Sequence, residues 1–310
     1  MIVTVTFNPA LDVSGDVEEI VPDEKTYVHG EKHAPGGNGI NAGVIASRLG
    51  APVILTGFLG GTNGAAIRDL LRAEALRLDF VPIKASTRMN VTVSNRKTHR
   101  QTRLSFPGPA IRPAEKVQLA RKLRRSSPSL VVFGGSLPKA YPLSDVAHLL
   151  RALRTRKIPF VVDMPGKSLK QLLKLKPLLI KPNLTEFQEL TGTTAKSIPE
   201  VLKTARKLLK HADHICVSSV DGGALLVTKT EAWWGKIPRV KIRSTVGAGD
   251  SMVGAMASLL ARDPQTPPEV LLRVGLAASC ATLTERGVLL GKRAAIEKYK
   301  SRITLRALRQ

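Results

Sequence analysis

Aromatic residues make up only 4% of the 310 residues, cysteine occurs twice, and Asp plus Glu number 24 against 48 Lys plus Arg. Each shortage excludes a class of function. With so few rings there is little for nucleobases to stack on, and no zinc finger, basic zipper or RNA-binding aromatic box accompanies the formal charge of +24. Cys216 and Cys280 stand apart from any CxxC or His-pair spacing, so they read as buried thiols and not as a disulfide framework or metal site. No run approaches the ~20 apolar residues of a membrane span. The start, MIVTVTFNPALD, lacks the charged region and cleavage site of a secretion signal. The expectation is a cytoplasmic protein with no membrane and no specific nucleic-acid partner.

What is present is a hydrophobic fraction of 43%, enough for a sizeable core. The basic stretches, such as EKVQLARKLRRSS (115–127) and VLKTARKLLKH (201–211), interleave Leu, Val and Ile at helical spacing. They read as the solvated faces of amphipathic helices, and their charge acts as a general pull on anions. Short β-branched runs (IVTVT, VILTG, LVVFG, FVVD, LLIK, HICVS) alternate with helical segments near 38–49, 63–76, 113–124, 142–155, 167–175 and 199–210, and three more helices follow residue 247. That alternation predicts a parallel sheet covered by helices on both faces. Residues 11–33 and 82–106 break the rhythm with strand-like stretches and no helix between them, and predict a small separate sheet serving as a lid. No linker separates independent units, so one domain over 1–310 is expected.

Two apparent phosphate-binding motifs fail. Gly166-Lys167-Ser168 follows a strand, but Val161 stands where a P-loop needs its first glycine. The first strand ends in FNPALD and not in GxGxxG, so a dinucleotide-binding opening is missing too. In APGGNGINAGVIASRLG (34–50), Gly36 and Gly37 clear space for a ligand beside the backbone while Asn38 and Asn41 offer amides to sugar hydroxyls. An ordinary capped glycine turn explains the stretch equally well. In KPNLTEFQELTG (181–192), Asn183 and Glu186 share one face of a first helical turn, where they would meet a hydrated Mg²⁺ at one remove or simply form a capping box. VSSVDGGALLV (217–227) reads as a hairpin or as a nucleotide contact.

STVGAGDSMVGAM (244–256) is more telling. A helix beginning after the glycines leaves the amides of Gly247, Ala248, Gly249 and Asp250 as bare donors, and the helix dipole adds to them. Such a socket stabilises charge accumulating on a transferring phosphoryl group. The helix field would hold Asp250 ionised, placed to take a proton from an attacking hydroxyl. A plain Asp cap explains the carboxylate but not the Gly-Ala-Gly before it.

With TFNPALD, PGGNGIN, GGSLP (134–138), KPNLTEFQEL and STVGAGDSMVGAM in that order, the chain resembles the PfkB branch of ribokinase-like sugar kinases along nearly its whole length. TRMNVTV (87–93) and FPGP (106–109) make it most similar to the phosphofructokinase and tagatose-6-phosphate kinase subgroup. The resemblance implies a ribokinase-like three-layer α/β/α sandwich with a small β-sheet lid, ATP as donor, Mg²⁺ as cofactor and a homodimer through the lid. It implies Asp250 as catalytic base, with Gly247, Ala248 and Gly249 in the anion hole. Asp12, Gly37, Asn38 and Asn41 fall on the sugar side. Lys25, Arg88, Arg103 and Ser136 fall where phosphosugar kinases bind the substrate phosphate. Lys181, Asn183, Ser218 and Gly223 fall on the nucleotide side, and Glu186, with Asn183, reaches the metal through water.

Cations at Lys25, Arg88 and Arg103 imply a substrate already phosphorylated, since a neutral sugar gives them nothing to pair with. The implied reaction is phosphorylation of a primary hydroxyl of a ketohexose phosphate. Fructose 6-phosphate leads because THRQTRLSFPGPAI resembles the 6-phosphofructokinases, with fructose 1-phosphate and tagatose 6-phosphate as alternatives. A catalytically silent sugar-phosphate-binding or regulatory protein is the competing class; an intact Asp250 and Gly-Ala-Gly run argue against it. Asn38, Val220 and the turn Asp163-Met164-Pro165-Gly166 depart from the usual pattern.

Overall fold

The computed structural model describes residues 1–74 and 76–308. Its strands are β1 (Ile2–Thr6), β2 (Ala10–Val17), β3 (His29–Gly36), β4 (Val53–Leu59), β5 (Arg77–Leu78), β6 (Val81–Pro82), β7 (Arg88–Asn95), β8 (Gln101–Ser105), β9 (Leu130–Gly134), β10 (Phe160–Asp163), β11 (Leu179–Ile180), β12 (His214–Val220), β13 (Gly223–Val227), β14 (Ala232–Lys236) and β15 (Thr304–Ala307). The helices are α1 (Asn38–Arg48), α2 (Gly61–Leu71), α3 (Pro113–Arg125), α4 (Leu143–Thr155), α5 (Gly166–Leu172), α6 (Leu184–Thr191), α7 (Ile198–Leu208), α8 (Ala248–Leu260), α9 (Pro268–Leu283) and α10 (Arg293–Lys300).

Strands β5, β4, β1, β9, β10, β11 and β12 lie side by side in parallel, and β13, β14 and β15 extend the sheet antiparallel. The central strands are near-continuous apolar runs because both faces are covered. Alternate residues serve opposite cores: Val131 and Phe133 face Leu119, Leu150, Leu169 and Phe187 of α3 to α6, while Leu130 and Val132 face Ile40, Ile67, Met252 and Ile296 of the other layer. The result is the expected three-layer α/β/α arrangement. Ligands of such sheets bind beyond the carboxyl ends of the strands, and here Thr6, Gly134, Asp163 and Lys181 all emerge on that side.

A second sheet, in the order β3-β2-β7-β8, stands over this edge, with Asp12 beside Asn90 and Ala10 beside Arg88 in parallel register. One of its faces is polar (Asp12, Ser14, Asn90, Thr92). The other carries Leu11, Val13 and Val91, with Met89 and Leu104 exposed at 38% and 52%.

Three details differ from the sequence reading. The helix expected over 63–76 runs Gly61–Leu71, because Leu78 is drawn into β5 beside Leu55 of β4; Ala75 lies outside the described residues. The segment 167–175 is α5 followed by a 3₁₀ turn that stops where Lys176 takes a left-handed φ of 57°. Strands β14 and β15 were not foreseen; Trp233 and Trp234 pair with Ala307 and Arg306, at the far edge of the sheet.

Candidate active site

A cavity of about 550 Å³ opens beneath the carboxyl ends of the strands and at the start of α8. Asn38, Lys181, Asn183, Glu186, Ser218, Gly223, Ala248, Gly249 and Asp250 line it, so nine of the sequence-selected positions meet in one place. Ser244 and Val246 lead into Gly247, whose φ of 74° turns the chain into α8 at a cost only glycine avoids. The first turn leaves the amides of Ala248, Gly249 and Asp250 without intrahelical partners, and they have none elsewhere among the described residues. The turn is anchored from behind. Ser251 Oγ donates to Gly247 O at 2.8 Å and lies 2.7 Å from Thr282 Oγ1, which accepts the Gly291 amide at 2.9 Å.

Asp250 Oδ2 accepts a 2.7 Å hydrogen bond from Asn41 Nδ2. Burial, with Asp163 nearby, pushes its carboxyl up to about 6, and Asn41 and Lys181 pull against that rise without cancelling it. The sequence reading credited the helix field with keeping Asp250 ionised; desolvation outweighs it, yet the group is still ionised above about pH 6.

Lys181, only 5% exposed, projects from the end of β11 under the anion socket: its Nζ lies 3.6 Å from Asp163 Oδ1 and 3.2 Å from where a Cβ on Gly249 would stand. Burial opposes its charge, but the surrounding acidic groups, Asp163 foremost, outweigh burial, and its pKa moves up. The adjacent Cys216 thiol is pushed by burial up to about 12, so it is neutral at pH 7. Asp163 is 8% exposed and also accepts from Asn38 Nδ2 at 3.3 Å. It ties α1, β10 and β11 together below the cavity. In the sequence it stands out only as part of the departing turn Asp163-Met164-Pro165-Gly166.

Asn183 and Glu186 do form the reciprocal capping box, with Glu186 N to Asn183 Oδ1 and Asn183 N to Glu186 Oε2 both at 2.9 Å. Asn183 Oδ1 is therefore occupied by the cap, whereas Glu186 keeps its other oxygen; burial raises its pKa. Across the cavity, Ser218 bridges to Asn183, and the loop that follows carries a register shift with left-handed φ values at Ser219, Asp221 and Gly222.

On the lid side, Asp12 Oδ1 accepts from Asn90 Nδ2 at 2.8 Å, and burial raises its pKa against that bond and the Arg88 charge. A side chain at Gly36 would collide with this carboxylate, 2.2 Å from Oδ2, so the glycine is needed for the approach. The Arg88 guanidinium donates to the carbonyls of Asn8 and Phe106, both at 3.1 Å, while Asn8 Nδ2 donates to Ser136 Oγ at 3.2 Å. Arg88 Nε, Asn8 Oδ1 and Asn90 Oδ1 are buried without any partner. Arg103 Nη2 crosses from β8 to donate to Thr245 Oγ1 at 2.6 Å. Lys25 is not brought in: it sits on the exposed connection between β2 and β3, its Nζ 4.8 Å over the Tyr27 ring. Gly37, with φ 123°, turns the end of β3 into α1.

The profile of the pfkB family carbohydrate kinases matches residues 6–294. A 1-phosphofructokinase of Bacillus subtilis is 32% identical, with 91% of this chain and 92% of that protein covered. An ATP-dependent 6-phosphofructokinase isozyme 2 of Mycobacterium tuberculosis is 33% identical over 96% and 88% of the two chains. The crystal structure of phosphofructokinase-2 from Escherichia coli in complex with substrates and products superposes with a TM-score of 0.92 at 30% identity, covering 97% of this chain and 98% of that one.

Proposed function

The chain belongs to the pfkB family of carbohydrate kinases, and we propose that it transfers the γ-phosphoryl group of ATP to a primary hydroxyl of a ketohexose phosphate, fructose 6-phosphate first among them. The observation that carries this reading is the position of Asp250. It lies at the bare amides of α8, with a nucleotide-sized cavity on one side and, on the other, lid residues whose buried polar atoms lack partners.

In this reading Asn41 aims the Asp250 carboxylate at the attacking hydroxyl, and Asp250 takes its proton as the new bond forms. The amides of Gly247 to Asp250 receive the equatorial oxygens of the transferring group, and Lys181 adds positive charge from below. Asp12 and Asn90 hold sugar hydroxyls, while Arg88, Ser136 and the orphaned Asn8 Oδ1 surround the far end of the substrate, where Arg88 meets its phosphate. Ser218 and Gly223 flank the nucleotide. The donors fit Mg²⁺: among the described residues no three-residue His, Cys, Asp or Glu cluster offers a protein cage, but the hard carboxylate oxygens of Glu186 and Asp163 open onto the cavity beside the phosphate position. The ion, when bound, offsets charge on the β- and γ-phosphates.

We read residues 1–310 as one kinase domain in which the small sheet is a lid, and the exposed apolar face at Met89 and Leu104 as the surface through which two lids pair in a homodimer. No described helix is long and apolar enough to cross a membrane. The relatives carry both 1- and 6-phosphofructokinase names, so the deciding experiment is a parallel assay with ATP and Mg²⁺ on fructose 6-phosphate, fructose 1-phosphate, tagatose 6-phosphate, ribose and adenosine. The highest kcat/KM is expected on fructose 6-phosphate. Preference for ribose or adenosine, or no turnover on any of them, would sink the proposal.

A further inference from the structure

The +24 charge looks dispersed along the sequence, but folding gathers part of it. A second cleft, of about 530 Å³, lies between the far end of the lid and two body segments, 241–243 and 286–287. Its walls carry Lys32 and Arg96 from the lid and Lys241, Arg243 and Arg286 from the body, with Asp16 the one acid among the lining residues. Asp16 is already engaged. It lies 3.8 Å from Arg96, which also pairs with Glu18 at 2.8 Å. Lys32, Lys241, Arg243 and Arg286 have no ion pair or side-chain hydrogen bond with any described residue, and Lys32 is half-buried.

Four uncompensated cations around one concavity repel one another, and low-dielectric walls focus their combined potential into the space between them. The neighbouring neutral groups suit the same ligand: Ser14, Ser94, Asn95 and Gln101 line the cleft and can donate to oxyanions. The cleft is separate from Arg88, the cation assigned above to the substrate phosphate, although Arg103 reaches its edge by donating to Gln101 at 3.3 Å. Along β2, Ala10 pairs with Arg88 at the base of the lid, whereas Ser14 pairs with Lys32 and Asp16 lies two residues further out. The floor is close-packed: Gly287, at φ 62°, approaches Ser14 so tightly that a Cβ would stand 2.4 Å from Ser14 Oγ. A side chain there would push lid and body apart.

We propose that this cleft is a binding site for a multiply charged oxyanion of the oligophosphate class, held between Lys32 of the lid and Lys241, Arg243 and Arg286 of the body. Its volume accommodates several linked phosphoryl groups, and its cations come from both sides. An occupant therefore bridges lid to body.

The probe is inorganic tripolyphosphate, titrated calorimetrically without added Mg²⁺ into the full-length protein saturated with a non-hydrolysable ATP analogue, so that the α8 socket is already filled. One saturable tripolyphosphate per chain is expected, in excess over the response to chloride at matched ionic strength. The double substitution Lys32→Ala/Arg286→Ala should weaken it by at least tenfold, the scale of losing charge-assisted hydrogen bonds. Lys241→Ala/Arg243→Gln, which changes only exposed side chains, should weaken it similarly should the first pair disturb folding. Arg88→Ala, and Lys203→Ala/Lys207→Ala on α7, should leave it unchanged. Absence of saturable binding, loss on Arg88→Ala, or full affinity in both cleft variants would each overturn the proposal. None of these outcomes depends on which sugar the enzyme phosphorylates.

Discussion

The two halves of the candidate active site handle their polar groups in opposite ways. Below the cavity, Asn38 and Lys181 are both joined to Asp163, and Asn41 to Asp250, before any ligand arrives. On the lid side, Arg88 Nε, Asn8 Oδ1 and Asn90 Oδ1 are buried and unsatisfied. A buried polar atom without a partner costs about 1–3 kcal/mol, so the lid half carries a deficit that the sugar phosphate of the proposed function would relieve. In the proposed function the lower half is preorganised for chemistry, and the upper half is completed by substrate. Mutations should therefore act on turnover and stability below, and on substrate KM above.

The largest effect expected is on Asp250→Asn, which removes the proposed base but keeps the shape: kcat should fall roughly 10²- to 10⁴-fold with sugar-phosphate binding near normal. Full activity in that variant would dissolve the distinction between the halves. Lys181→Met leaves Asp163 buried without its cation, and chemical denaturation should register a loss of about 3–5 kcal/mol; an unchanged midpoint would mean the pair is not structural. Arg88→Ala should raise KM for the phosphosugar about ten- to a hundredfold, in line with a lost charged hydrogen bond, and leave KM for ATP nearly alone. Equal effects on both substrates would erase the comparison. Burial pushes the Asp250 carboxyl up to about 6, and in the proposed mechanism it acts deprotonated, so kcat/KM should be level above pH 7, halve near pH 6 and drop about tenfold per unit below it. The inflection should vanish from the residual activity of Asp250→Asn. Smallest is Asn183→Ala, which removes the α6 cap and should cost about 1 kcal/mol of stability.

How much of this was legible in the sequence follows the same division. Asp250 and its socket were readable because the cause is local: three small residues and an acid at a helix start need only one turn of helix to acquire their meaning. The layered fold was readable from alternating apolar runs for similar reasons. Asp163 was missed as the hub, since its partners Asn38 and Lys181 come from distant segments and only the parallel order of β1, β9, β10 and β11 assembles them. For Asn183 and Glu186 the sequence allowed a cap or a metal contact, and the capping hydrogen bonds are present without excluding a remaining Glu186 oxygen. Lys25 was grouped with Arg88 and Arg103, yet within one chain it lies on an exposed lid connection. Nothing in its local pattern encodes the direction of that loop. The Arg103 contact to Thr245 was equally hidden, because it joins the lid to the segment before α8.

The hydroxyl relay from Ser251 through Thr282 to the Gly291 amide has a temporal consequence. During synthesis Asp250 and its turn emerge before Thr282 and Gly291, which brace that turn through Ser251. A fragment ending between them carries the acid without its brace, and is expected to hold the α8 turn less firmly than the full chain.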